Sequence, residues 1–338
     1  MAEKDIKDIY ISYELRARGL LTVIMSDLKD YKIGVLEGGV SGERDISFVS
    51  GKEACLALKR KGINAEEIDI NTQDIQAVKE ILLSHSIDAA FIALHGEFGE
   101  DGRIQEVLDA LDIPYTGSGA AASRRAMDKI ISKDIFVKNN IPTPNYFVLN
   151  KSDPIPGPEG LPKVIKPYYS GSSIGVFIVY DGKDWERSIL ESFKINEKII
   201  IEDYIRGKEL TVGILGEKPL SVVEIIPKHG YFNFTAKYSD GMVDFIAPAL
   251  LDINDYSAAM EVSRRAHVSL GCRHFSRVDI RMDDKGTPFV LEVNSIPGLT
   301  SHSLLPLSAK VCGIEFDELI IRMLQLALRN EKKEKQKI

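Results

Sequence analysis

Asp279, Glu292 and Asn294 lie in the stretch SRVDIRMDDKGTPFVLEVNS, residues 276–295, where two runs of strand formers flank a polar turn. Side chains alternate across a strand, so Arg277, Asp279 and Arg281 share one face and Val278, Ile280 and Met282 the other. A hairpin closing between Lys285 and Gly286 places Val278 across from Val293, Ile280 from Leu291 and Met282 from Phe289. That register buries one apolar face, and a one-residue slip would destroy the match. It also sets Asp279 opposite Glu292 and Arg277 opposite Asn294. Two facing carboxylates repel unless a cation lies between them. With no Cys or His nearby, such oxygen ligands favour a hard ion, Mg²⁺ or Mn²⁺, to which Asn294 adds an amide oxygen. A solvated polar face, its acids paired with Arg277 and Arg281, accounts for the same residues; at this point both stand.

Three further stretches carry candidate chemistry. YSGSSIG, residues 169–175, has two glycines and three serines in its last six residues, a run that can present successive backbone N–H groups to phosphate oxygens. It is not a Walker A loop, and alone it reads equally as a hairpin turn. Lys166 precedes it and Lys129 lies on the preceding helix. Two lysines, a glycine loop and an acid pair together supply what nucleoside triphosphate binding requires. HGEFGEDG, residues 95–102, follows an apolar strand, at the end of a parallel sheet where ligands bind. His95 there can donate to a carboxylate or phosphate; a helix-capping loop using Glu100 and Asp101 is the plainer account. EGGVSGERD, residues 37–45, opens like a dinucleotide fold, but GxGxxG is absent, which argues against NAD. Glu43 at a helix entrance can hold an ammonium group, or serve as an ordinary first-turn acid.

The elements that must position these residues follow from periodicity. From Lys32 the pattern alternates strand and helix: KIGVL, a helix from about Ser47 to Gly62, AEEIDI, DIQAVKEILLSH and IDAAFIALHG. Such alternation implies a parallel sheet covered by helices, ending near residue 120. A single helix is expected from about Ala120 to Asn139. SDPIPGPEGLP holds four prolines in eleven residues and reads as a loop before the strand KVIK. VFIVY, a helix at Trp185–Phe193 and KIIIEDYI complete a small α+β module. Beyond Arg206 strands dominate (ELTVGIL, LSVVEII), then a helix at Tyr256–Leu270, the hairpin, and a helix at Gly313–Leu328. RNEKKEKQKI reads as a solvated tail. The first thirty residues, interrupted by Glu14, Arg16 and Arg18, do not read as a signal peptide but as an extra helix, or as sequence upstream of a start at Met25.

The 338 residues suggest two or three domains. Net charge is −7, so nucleic acid is not the expected partner. Cys55, Cys272 and Cys312 are odd in number and far apart, which fits a reducing cytoplasm rather than a disulfide scaffold. The sequence has no uninterrupted apolar run of about 18 residues, so membrane insertion is not expected.

Together these stretches resemble the D-alanine–D-alanine ligase family of ATP-grasp enzymes, from about Lys32 to Leu328. HGEFGEDG and SRVDIRM…FVLEVNSIPG look like its two signatures. The resemblance implies an ATP-grasp fold preceded by a Rossmann-like parallel α/β domain. Its divisions would be an extension (1–30), an N-terminal α/β domain on the substrate side (31–120), a central ATP-grasp lid (121–205), a C-terminal ATP-grasp domain with metal and acceptor site (206–330) and a charged tail (331–338). Lys129 and Lys166 would contact ATP phosphates, with Ser172 and its glycine loop closing over them and Lys237 also on the nucleotide. Glu202, Tyr204 and Ile205 would line the adenine site, and Glu209 would hold the ribose. Asp279, Glu292 and Asn294 would bind two Mg²⁺ ions, with Mn²⁺ an alternative. Glu43 would face the first substrate's ammonium, linked through Ser172 to Tyr238, and His95 would lie near that substrate's carboxylate. Arg277 and the Gly298 backbone would stabilise an oxyanion, and Ser303 and Leu304 would receive the second substrate's carboxylate.

The implied activity is ATP-dependent ligation of two D-alanines through a D-alanyl phosphate, supplying peptidoglycan synthesis in the cytoplasm, by a homodimer. Tyr238 favours D-alanine over D-lactate as acceptor. Alternatives are a ligase with a D-serine or D-lactate acceptor, another carboxylate–amine ligase, or a nucleotide-binding sensor without turnover. Glu37 and Arg281 depart from common family patterns.

Overall fold

The structure is a computed structural model that describes residues 28–228 and 241–335. Three parallel strands, β1 (Lys32–Gly38), β2 (Asn64–Ile70) and β3 (Ala89–Ile92), form a sheet ordered β2-β1-β3. β1 is central and its run from Ile33 to Gly38 is buried, the pattern of a strand covered on both faces. Helices α1 (Arg44–Arg60), α2 (Ile75–His85) and α3 (Arg103–Ala110) alternate with these strands. The helix expected from Ser47 begins three residues earlier. Glu43 occupies its N-cap position without capping it, because its carboxylate is engaged elsewhere.

Gly51 lies inside α1, where glycine weakens a helix. Its reason is Glu37: a Cβ on Gly51 would stand 2.1 Å from Glu37 Oε2. That carboxyl is 6% exposed and Oε2 has no hydrogen-bond partner. Burial, reinforced by Glu67 and Asp69, pushes it from an ordinary value near 4.5 up to about 7. The native state therefore binds a proton that the unfolded chain releases, and stability falls as pH rises through that window. Glu37→Gln is expected to raise the melting temperature by about 2–4 °C at pH 8 and to leave it unchanged at pH 5. Thermal unfolding at the two pH values checks this; equal shifts at both would reject it.

The expected single helix over 120–139 is two. Asp128 is extended (φ −82°, ψ 104°) and separates α4 (Ala120–Met127) from α5 (Lys129–Lys138). Its carboxylate caps the second helix, accepting from Ile130 N at 2.9 Å and Ile131 N at 3.0 Å. Lys129 is thus the first residue of a helix, not one in the middle.

Next come β4 (Tyr146–Asn150), β5 (Lys163–Pro167), β6 (Phe177–Val179), α6 (Trp185–Ser192) and β7 (Lys198–Asp203). Their antiparallel sheet has the order β4-β7-β5-β6, around a core that includes Ile165, Trp185, Ile189 and Ile201. β4 was not foreseen, since prolines surround it. The remaining strands β8 (Lys208–Leu215), β9 (Lys218–Pro227), β10 (Val243–Ile246), β11 (Phe275–Met282) and β12 (Pro288–Asn294) form a second antiparallel sheet, β10-β9-β8-β11-β12. α7 (Ile253–Ser269) packs Tyr256, Ala259 and Ala266 onto it, and Phe136 of α5 joins the same core.

α8 (Leu304–Val311), a helix not expected from the sequence, follows the Pro-Gly turn and the hydroxyls around His302. α9 (Phe316–Lys335) continues past Leu328 through most of the expected tail. Leu319, Met323 and Leu328 of α9 share a core with Ile33 and Val35 of β1, so α9 packs back against the parallel sheet. Arg60 on α1 also reaches Asp317, with Nε 3.0 Å from Oδ2. The extension up to residue 27 lies outside the described residues, as do 336–338.

Candidate active site

The hairpin register matches the expected one only at its open end. Arg277 faces Asn294, Val278 faces Val293 and Asp279 faces Glu292, but Ile280 faces Val290 and Met282 faces Pro288. A β-bulge between Asp279 and Ile280 leaves Leu291 as the extra residue. The buried side chains of β12 are therefore Pro288, Val290 and Val293, in place of Phe289, Leu291 and Val293. Strict alternation would have turned Leu291 into the core. The bulge instead lets Leu291 and Glu292 both line the same cleft.

Asp279 is held from three sides. Arg277 donates to it twice, at 2.9 and 2.8 Å, Thr211 Oγ1 donates at 2.6 Å, and Asn294 Nδ2 at 3.0 Å. Thr211 is its cross-strand partner on β8. Glu292 Oε2 lies 3.4 Å from Lys129 Nζ. Arg281 does not pair with either acid of the hairpin. It contacts Glu209 at 3.2 Å and donates to the Ile205 and Gly207 carbonyls at 3.1 and 2.9 Å. Its guanidinium also stands 5.1 Å from the Tyr204 ring centroid.

The glycine-rich loop joins β5 to β6. Ser172 and Ser173 both have left-handed φ, +51° and +57°, a conformation few residues with a Cβ adopt. Gly175 (φ +72°) has no alternative, since a Cβ there would meet Ile195 Cδ1 at 2.3 Å. The backbone N–H of Lys129 donates to Tyr168 O at 2.9 Å and its Nζ to Ser170 O at 2.6 Å, tying α5 to the loop. Lys166 Nζ contacts Glu202 Oε1 at 2.7 Å, and Lys133 Nζ contacts Glu202 Oε2 at 2.8 Å. Burial alone would raise the Glu202 carboxyl, but the two ammonium groups overcome it and hold it below its usual range. Glu202 is 2% exposed and turns its carboxylate into this ion cluster, while lining the same cleft as Tyr204 and Ile205.

On the other side of the loop, Ser172 Oγ donates to Glu43 Oε1. His95 is 3% exposed. Its Nδ1 faces Ile296 O at 3.2 Å, an acceptor only, so Nδ1 carries the proton and Nε2 accepts from Ser50 Oγ at 2.8 Å. Ser50 Oγ in turn accepts from Leu299 N at 3.3 Å. His95 thereby fixes the Ile296–Leu299 turn to the first domain. Gly298 faces Ser303 Oγ, which accepts from Thr300 N at 3.1 Å. Ser303 is the N-cap of α8, and the Leu304 side chain packs with Val223 and Ile225, so Leu304 offers a ligand only its backbone. Lys237 and Tyr238 lie outside the described residues.

Two clefts meet here. The larger lies between the two antiparallel sheets and is lined by Lys166, Tyr204, Ile205 and Glu209, with Val164 and Leu291 as apolar walls. The smaller is lined by Glu100, Gly171, Asn294 and Ser295. Lys129, Ser170 and Glu292 border both. The arrangement suits a phosphorylated ligand in one chamber and a small acceptor in the next, with Lys129 and Glu292 at the junction.

Known proteins match this arrangement. The family described as D-ala D-ala ligase C-terminus matches residues 136–325, and D-ala D-ala ligase N-terminus matches 71–118. A D-alanine–D-alanine ligase from Citrifermentans bemidjiense is 43% identical over 303 residues, covering 90% of this chain and 98% of that one. One from Geotalea uraniireducens is 41% identical over 306 residues, covering 90% and 97%. The chain belongs to the D-alanine–D-alanine ligase family. Among solved structures, a Bacillus anthracis D-alanine–D-alanine ligase complexed with ATP has a TM-score of 0.78 at 33% identity, covering 90% of this chain and 99% of that one.

For a member of this family, three residues around the site were missed in the sequence. Lys133 sits one helical turn after Lys129, so the two share a helix face, a spacing that was available as a signal. Thr211 and Leu291 carried no signal: one is defined by strand pairing, the other by the bulge.

Proposed function

We propose that this protein joins two D-alanine molecules into D-alanyl-D-alanine with cleavage of one ATP to ADP and phosphate. The junction of the two clefts at Lys129, Ser170 and Glu292 is the observation that supports it most directly, because phosphoryl transfer needs nucleotide and acceptor to meet at one point. A carboxylate does not react with an amine at neutral pH. The first D-alanine's carboxylate oxygen attacks the γ-phosphorus, ADP leaves, and a D-alanyl phosphate forms. The second D-alanine's amine attacks the acyl carbon, phosphate leaves with the C–O bond electrons, and the amine loses a proton.

Lys129 and Lys166 would hold the phosphate oxygens, and the loop around Ser172 would cover them and exclude water. Glu43, steadied by Ser172, would receive the first substrate's ammonium. His95 would act on its carboxylate through the turn it anchors. Glu202, Tyr204 and Ile205 would line the adenine site, with Val164 and Leu291 as its apolar walls and Glu209 on the ribose. Arg277 and the Gly298 N–H would face the developing oxyanion, and the N-terminus of α8 at Ser303 and Leu304 would face the acceptor's carboxylate. Asp279, Glu292 and Asn294 form an all-oxygen donor set with two opposed acids, which fits Mg²⁺ or Mn²⁺. When bound, the ions would offset charge on the transferring phosphoryl group. The proposed setting is a cytoplasmic homodimer serving peptidoglycan synthesis. Among the described residues no helix is long and apolar enough to cross a membrane.

ADP release measured with ATP, Mg²⁺ and a panel of D- and L-amino acids tests the assignment. D-alanine is expected to give turnover, D-lactate and L-alanine none. Turnover with D-lactate or D-serine as preferred acceptor would move the chain to the neighbouring specificity. ATP binding without any D-alanine-dependent ADP release would sink the ligase reading in favour of a nucleotide sensor.

A further inference from the structure

Lys133 is the most deeply buried cation among the described residues, with its side chain 0% exposed, and no step above uses it. Its ammonium stands between two sheets. Toward the lid it contacts Glu202 Oε2 at 2.8 Å and lies 5.3 Å from the Tyr146 ring centroid. Toward the metal strand it donates to Thr143 Oγ1 at 2.7 Å, and Thr143 Oγ1 donates to Val290 O at 2.8 Å. Val290 N closes the loop by donating to Pro142 O at 2.8 Å. One side chain therefore links β7, which carries Glu202, to β12, which carries Glu292.

The charges matter as much as the links. Glu202 carries one negative charge and two ammonium partners, Lys133 on one oxygen and Lys166 on the other. Both are buried, so water screens neither pair strongly. The cluster sums to one net positive charge, and of its two cations only Lys166 lines the nucleotide cleft. Without Lys133, Glu202 and Lys166 would form a closed neutral pair, and a phosphate would have to compete with Glu202 for the Lys166 ammonium, leaving Lys129 as the other cation of the cleft. Burial already lowers the Lys133 ammonium to about 8, a charge held at a cost and retained by Glu202.

We propose that Lys133 is a positioning residue which, by sharing the Glu202 carboxylate, keeps Lys166 available to the phosphate groups of ATP. The inference rests on the ligase reading in one respect, that ATP occupies the larger cleft. Its test uses binding by the full chain, with Mg²⁺ present, measured by calorimetry for ATP and for adenosine. Lys133→Met is expected to weaken ATP about tenfold or more while adenosine stays within about twofold, because only the phosphates meet Lys166. Lys133→Met combined with Glu202→Gln removes both buried charges and again leaves Lys166 as the net cation. That double variant is expected to bind ATP within about threefold of Glu202→Gln alone, since with the carboxylate neutral Lys133 has nothing left to share.

A purely structural role for Lys133 predicts the opposite, with Lys133→Met losing as much ATP affinity in the Glu202→Gln background as in the wild type and adenosine weakened alongside ATP; either result overturns the proposal. So does an unchanged ATP affinity in Lys133→Met. Should the single variant fail to fold, the double variant is read against Glu202→Gln, and a tenfold loss of ATP affinity between those two overturns the proposal. The wild-type control keeps the two ideas apart. A wild type that does not bind ATP defeats the ligase reading itself, whereas a wild type that binds ATP with an indifferent Lys133→Met defeats only this inference.

Discussion

Glu292→Ala is expected to fold and to release no measurable ADP with D-alanine at any practical Mg²⁺ concentration. Glu292 is half-buried, faces Asp279 across the hairpin, and borders both clefts. Its removal takes one of two carboxylates from the proposed ion site and leaves Lys129, 3.4 Å away, without that counter-charge. Core packing is unaffected, since Val290 and Val293 carry the buried face of β12. A loss of about 10³-fold or more in turnover is the expected scale for an ion that offsets charge in phosphoryl transfer. Circular dichroism checks the fold, and ADP release against Mg²⁺ concentration checks the role. Near-normal turnover would refute the assignment of Glu292 to the metal.

Arg277→Met is expected to lower kcat by about 10²–10³-fold with little change in the KM for ATP. Arg277 lies beside Asp279 on β11, and its guanidinium is fixed in plane by two parallel bonds to that carboxylate. A planar donor held this way costs no reorganisation when an oxyanion develops beside it. The competing explanation is that Arg277 only steadies Asp279. In that case the defect would lie in ion affinity, and a large excess of Mg²⁺ would restore the rate. Restoration would remove Arg277 from the oxyanion site, while a kcat that stays low at saturating Mg²⁺ supports its place there.

Much of the molecule was legible before any coordinates. The alternation from Lys32 to Ile92 defined a parallel sheet because only a doubly covered strand reads as apolar as β1. Asp279 and Glu292 were placed face to face by hairpin pattern alone. The misreadings have specific causes. Asp128 stops α4 and starts α5 in one residue, and its capping role resembles an ordinary helix-surface acid until its backbone is seen. β4 escaped because neighbouring prolines obscured its period. α8 escaped because Leu304, Leu305 and Pro306 follow a cluster of hydroxyls that reads as a turn.

Local chemistry is written in residue types and their spacing, so the sequence by itself determined the kinds of group available: opposed acids, two lysines, a glycine loop and the strands to carry them. What only the tertiary structure decided is which of these groups meet. The bulge that turns Leu291 into the cleft depends on how β11 pairs with β12, and no periodicity announces an extra residue. Lys133 read as one more helix lysine until β7 and the segment bonded to β12 closed around it, because burial belongs to the packing of distant segments. The packing of α9 against β1 likewise joins the two ends of the described chain through contacts that neither segment encodes alone.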